Sequence, residues 1–116
     1  MNYRKLFSNI TYRGLVRAVK TDYHVLEGPS HYVVLSTNYQ YRIVDKKAVK
    51  FLIKKFGATR SVTAKEVLSE CKNSQYFNSR FDALHTLYAL VGTQQGKISK
   101  IEQKRGTIFF NVWAAA

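Results

Sequence analysis

The chain has one cysteine and one proline among its 116 residues, and only 7 Asp plus Glu against 19 Lys plus Arg. A lone Cys71 cannot close an intramolecular disulfide, which excludes a small disulfide-stapled secreted scaffold. Seven acids leave little material for a two-metal catalytic centre. Uninterrupted apolar runs, such as Ile108 to Phe110, are a few residues long, so neither a transmembrane span nor a signal-peptide core is expected. The expectation is an intracellular protein, cytoplasmic or nucleoid-associated, with no membrane partner. Internal repeats and low-complexity stretches are also missing, apart from Ala114-Ala115-Ala116, which reads as a tail or cloning scar and is set aside.

What is there points to a folded, basic domain. Apolar residues make up 46% of the chain and aromatics 14%, too much burial material for disorder, and the length suits a single domain over 1–116. A net charge of +12 makes the surface self-repelling and calls for a polyanionic partner, of which nucleic acid is the commonest. The charge is clustered. Residues 1–20 hold five basic residues and residues 46–60 hold six, neither with an acid, whereas residues 21–45 hold one basic residue against three acids. Basic edges on a folded body fit this distribution better than a basic tail.

Residues 3–20 mix signals. Phe7, Ile10, Ala18 and Val19 suggest helical spacing that Gly14 interrupts, so the segment reads as a basic arm or first helix, in preference to an organelle transit peptide. Residues 22–44 read as a three-run antiparallel meander, Tyr23–Glu27, His31–Ser36 and Tyr39–Val44, separated by Gly28-Pro29-Ser30 and Thr37-Asn38. From Asp45 the period changes. Val49, Leu52, Ile53 and Phe56 form one stripe on a helix over Lys46–Phe56, with Gly57 placed to end it. Thr63-Ala-Lys-Glu66 is a capping-box pattern opening a second helix through Val67, Leu68 and Cys71. A third starts near Asn78-Ser79 and runs through Phe81, Leu84, Leu87, Tyr88 and Val91, with Phe81, Leu84, Leu87 and Tyr88 expected in the core. Two β-runs, Lys97–Glu102 and Thr107–Trp113, flank a basic tip at Gln103-Lys104-Arg105-Gly106.

Over residues 45–113 this order resembles a winged helix-turn-helix domain. The resemblance is carried by Ser79-Arg-Phe-Asp-Ala-Leu-His-Thr-Leu-Tyr-Ala-Leu-Val91, Gly96-Lys-Ile-Ser-Lys-Ile101 and Gly106-Thr-Ile-Phe-Phe-Asn-Val112. It implies an α+β fold in which a small N-terminal antiparallel β-meander precedes a three-helix winged helix-turn-helix with a C-terminal β-hairpin wing. It also implies non-enzymatic duplex DNA binding, as a small transcriptional regulator or DNA-architectural protein. A homodimer would extend the short site one such module covers. Two features depart from the family pattern: the turn Lys72–Phe77 is long, and the third helix carries only Arg80 against Asp82. That charge balance favours phosphate contacts over base readout.

On the resemblance, free backbone N–H groups over Asn78–Phe81, with Ser79 among them, would meet a phosphate. Arg80 would reach guanine and Thr86 a base edge or thymine methyl. Lys104 and Arg105 would press the wing tip on the backbone, with Lys100, Lys47 and Lys50 adding charge. Other classes are a structural RNA-binding protein of ribosomal type, or an interaction module whose basic face meets an acidic protein. Asp82 with Glu102-Gln103-Lys104 imitates a nuclease spacing, but such a tripeptide arises often by chance. His24 and His31 flank a turn without a third and fourth metal ligand nearby, and Cys71 reads as packing. No metal, cofactor or catalytic residue is expected. Tyr32, Tyr39 and Tyr41 read as packing or dimer surface, since base-stacking platforms sit in positive grooves and theirs is a negative stretch.

Overall fold

Thr11, Tyr12, Leu15 and Val16 are strand formers, and they open a four-stranded antiparallel sheet. The structure, a computed structural model, describes residues 9–57, 61–71, 74–102 and 105–114. Strands β1 (Thr11–Arg17), β2 (Asp22–Glu27), β3 (His31–Ser36) and β4 (Tyr41–Asp45) follow one another as a meander in the order β1-β2-β3-β4. Val16 faces Tyr23, Val25 faces Val34 and Tyr32 faces Val44, so one side of the sheet is a row of buried side chains. The β2–β3 turn closes with the Gly28 N–H donating to the His31 carbonyl, and the β3–β4 turn with Ser36 N–H donating to Gln40.

Three helices follow among the described residues: α1 (Lys46–Phe56), α2 (Ala64–Glu70) and α3 (Arg80–Gly92). Each has the cap its sequence offers. Asp45 accepts from the Lys47 N–H at 2.8 Å, and Thr63 and Glu66 exchange side-chain and backbone hydrogen bonds as a capping box. Ser79 accepts from the Asp82 N–H. Strands β5 (Gly96–Glu102) and β6 (Thr107–Val112) form the antiparallel hairpin, and Val62 pairs with Phe110 beside it through two backbone bonds of 2.8 Å.

Helix α3 is the centre of the molecule. All four strands of the meander, α1, α2 and β5 touch it, and Ala83, Thr86, Leu87, Tyr88, Ala89, Leu90 and Gly92 are buried along it. The meander lies close on its C-terminal end because two glycines meet there. A Cβ at Gly14 would stand 2.7 Å from the Gly92 carbonyl oxygen, and one at Gly92 would overlap the Val25 side chain. Glu27 fastens the far side, accepting from Arg13 and Lys46 at 2.6 Å each, so β1, β2 and α1 share one carboxylate. Those two cations hold the Glu27 carboxyl below its ordinary range, Lys46 first.

The winged helix-turn-helix expectation needs correction. The order of meander, helices and hairpin agrees in part. The meander has four strands where three were expected: Thr11–Arg17, read above as arm or helix, is β1. Gly14 and the register shift between Tyr12 and Gly14 break the period-2 pattern that would have marked it. More consequentially, the third helix is covered by the meander and cannot enter a DNA groove as a reading helix. No helix among the described residues is long and apolar enough to cross a membrane.

Candidate functional site

The start of α3 bonds some of its polar groups to one another. The Asn78 N–H donates to Asp82 Oδ2 at 3.1 Å, and the Asp82 N–H donates to Ser79 Oγ at 3.2 Å. The Asp82 carboxylate also receives Arg42 at 3.4 Å. A phosphate at Asn78 and Ser79 would meet this acid, which already occupies the positive end of the helix, so that expectation is withdrawn. Thr86 is 3% exposed, and its hydroxyl donates to the Asp82 carbonyl at 2.8 Å. It braces the helix and cannot read a base.

Arg80 and Phe81 occupy the first turn of α3, and both are exposed. They form one wall of a groove of about 580 Å³. Residues Ala18–Thr21, which join β1 to β2, form a second wall. Thr63–Lys65 at the start of α2 form a third, and Arg105–Ile108 at the hairpin tip a fourth. The buried side chains Ala64, Tyr88 and Ile108, with half-buried Leu84, make its floor apolar. Tyr88 is fixed by stacking on Tyr23, ring centres 4.5 Å apart, with His85 edge-on to both at 5.6 Å. Burial pushes the Tyr88 hydroxyl well above its ordinary value, so it remains a neutral part of the floor.

The rim is cationic. Lys20, Lys65, Arg80 and Arg105 line the groove, and no Asp or Glu stands among its described lining residues. Lys20, Lys65 and Arg80 form no ion pair with another described residue, and Arg105, its side chain 81% exposed, approaches Glu102 only at 4.0 Å. Four positive charges over an apolar floor, of which only Arg105 has a carboxylate within 4.0 Å among the described residues, make a site for a ligand that is anionic at its edges and apolar on its face.

Of the residues expected from sequence, the fold brings Arg80 and Arg105 together at this groove. Lys47 and Lys50 lie on the exposed face of α1, which supplies none of its walls. Lys100 is exposed on β5, its ammonium 5.8 Å from the Phe109 ring centre, also away from the groove. Lys104 lies outside the described residues. Three members were not anticipated. Lys20 depends on β1, and Lys65 is hidden inside the capping box. Phe81 was expected in the core and is 58% exposed. Among the tyrosines, Tyr32 is buried beneath Lys46, while Tyr39 and Tyr41 are exposed.

No cluster of three metal-ligating side chains occurs among the described residues. His24 Nδ1 stands 2.9 Å from the Tyr12 hydroxyl and His31 Nδ1 2.8 Å from Ser30 Oγ, each with a local partner. Burial pushes the Cys71 thiol up, which leaves it a poor nucleophile in the core. Compared with known proteins, the chain matches no family model, no curated protein and no solved structure.

Proposed function

We propose that the protein is a non-enzymatic nucleic-acid-binding protein whose contact surface is the groove between the β1–β2 connection, α2, α3 and the hairpin tip. The observation that carries this reading is the convergence of Lys20, Lys65, Arg80 and Arg105 on one acid-free groove. They come from four separate stretches of a chain of net charge +12. Phosphates bound there release counterions, and each contact contributes about −0.7 (single strand) to −0.9 (duplex) to the slope of log K against log salt. Four contacts give a slope of about −3 to −4. This surface replaces the reading helix expected from sequence, since α3 contributes its exposed first turn to a wall and Leu84 and Tyr88 to the floor.

Fluorescence anisotropy across salt, with duplex DNA, single-stranded DNA and structured RNA, tests the reading. Arg80→Glu with Arg105→Glu should weaken binding severely and reduce the slope by about 1.4 or more. Both side chains are exposed, so the double variant should keep its melting temperature. Wild-type affinity and slope in that variant would sink the assignment of the groove, and no binding by the wild type at low salt would sink the function itself.

A further inference from the structure

The cations account for phosphates, but not for Phe81. A large aromatic ring 58% exposed in the first turn of a helix, at the lip of an apolar hollow, needs a reason. It stands between two concavities. The groove lies to one side, and a smaller hollow lined by Arg42, Tyr41, Gln40 and His85 lies to the other. Arg42 lines the smaller hollow and not the groove, with its guanidinium 5.7 Å from the Phe81 ring centre, and it is tethered by Asp82. The ring is thus backed by a cation while it also lines the groove.

Resting on the nucleic-acid reading above, we infer that the groove takes an unpaired base of a single strand, stacked against Phe81, with flanking phosphates on Arg80, Lys65, Lys20 and Arg105. The chemistry selects the strand. In a duplex each base face is covered by its neighbours, and a stacked pair offers no π surface to a protein ring. An unpaired base offers its face, and the combination of a positive groove with an aromatic platform is the general physics of single-strand binding. The volume of about 580 Å³ lies within the range of about 300–1,000 Å³ for small-molecule sites, which suits an extruded nucleotide. An acidic peptide would satisfy the rim and leave the ring and the floor without a partner.

The test compares three probes on the full chain at fixed salt: an eight-residue oligothymidylate, the same backbone carrying abasic sites, and an oligoglutamate. The wild type should bind the oligothymidylate roughly 5- to 100-fold more tightly than the abasic strand. Phe81→Ala should lose that same factor on the oligothymidylate, bind both strands alike and keep the wild-type salt slope. Phe81→Trp should restore the preference. The side chain is exposed, so these variants should melt with the wild type. Oligouridylate run through the same comparison distinguishes RNA from DNA as the source of the strand. If Phe81→Ala binds oligothymidylate as the wild type does, the base site is wrong, whereas the charge-reversal variant still reports separately on the groove. Oligoglutamate binding as tightly as oligothymidylate would overturn the proposal in favour of an acidic protein partner.

Discussion

Replacing Gly92 by alanine adds one methyl group where the meander rests on α3. In an ordinary helix position the change would stabilise by about 1 kcal/mol, because alanine restricts the unfolded backbone and favours the helix. Here the new Cβ would stand 2.6 Å from Val25 Cβ and overlap Val25 Cγ2. The contact with Val25 Cβ cannot be relieved by rotating the side chain, since that atom is fixed to the strand. The sheet or the helix end must move, and overpacking of this kind costs about 1–3 kcal/mol. The net expectation is a loss of up to about 2 kcal/mol, or a melting temperature lower by up to about 8 °C for a domain of this size. Urea titration followed by circular dichroism measures it, with the slope unchanged if the native state stays intact. Val25→Ala empties a fully buried position and should cost about 2–3 kcal/mol alone. The pair should be less damaging than the sum by about 1 kcal/mol, because the overlap with Cγ2 is gone while the Cβ contact remains. Gly92→Ala more stable than the parent by about 1 kcal/mol, the gain of an ordinary helix position, would refute the close approach of β2 to α3.

Two further expectations concern pH. Burial is the first cause that lowers the His85 pKa, with the Arg42 charge adding to it, against the raising effects of its bond to the Phe81 carbonyl and of Asp82. The folded state therefore prefers the neutral ring. The unfolded chain binds the extra proton first, so stability should fall as pH drops below about 6.5. His85→Gln should flatten that part of the profile in urea titrations between about pH 7 and pH 5, and an unchanged profile would contradict it. Glu27 titrates lower still. Its carboxyl is held down by Lys46 and Arg13, so its contribution is present above the ordinary carboxylate range and is lost as pH falls through its folded value. Glu27→Gln should cost about 1 kcal/mol or less at pH 7, the pair being partly exposed, and almost nothing once the pH has fallen below the folded value of its carboxyl. A cost that persists at acid pH would show that packing, not charge, is what Glu27 supplies.

Much of the fold was legible because local chemistry and global packing agree. Of the stripe Val49, Leu52, Ile53 and Phe56, Ile53 is partly buried on α1 and the other three are fully so, and the Thr63–Glu66 pattern forms the capping box it promised. Strand β1 was not legible, because the glycine that lets it approach α3 is the residue that breaks its alternation. The same fact hid part of the site, since Lys20 reaches the groove only when β1 is a strand. Phe81 was misplaced for a different reason. Helix α3 is apolar nearly all round because partners surround it, so period cannot tell that the Phe81 ring in its first turn is left exposed. Arg80 and Arg105 were selected by charge and position along the chain. Their convergence with Lys20 and Lys65 is a property of the tertiary structure alone.

That convergence has a thermodynamic side. The walls of the groove belong to a strand connection, two helix starts and a hairpin tip, and none of these segments forms a concavity by itself. The site therefore exists only in the folded chain, and whatever occupies it must pull the folding equilibrium toward the native state. A ligand at a hundred times its dissociation constant adds about 2.7 kcal/mol. For a domain of this size, occupancy of the groove should be readable as a rise in melting temperature of about 10 °C, before any contact has been mapped.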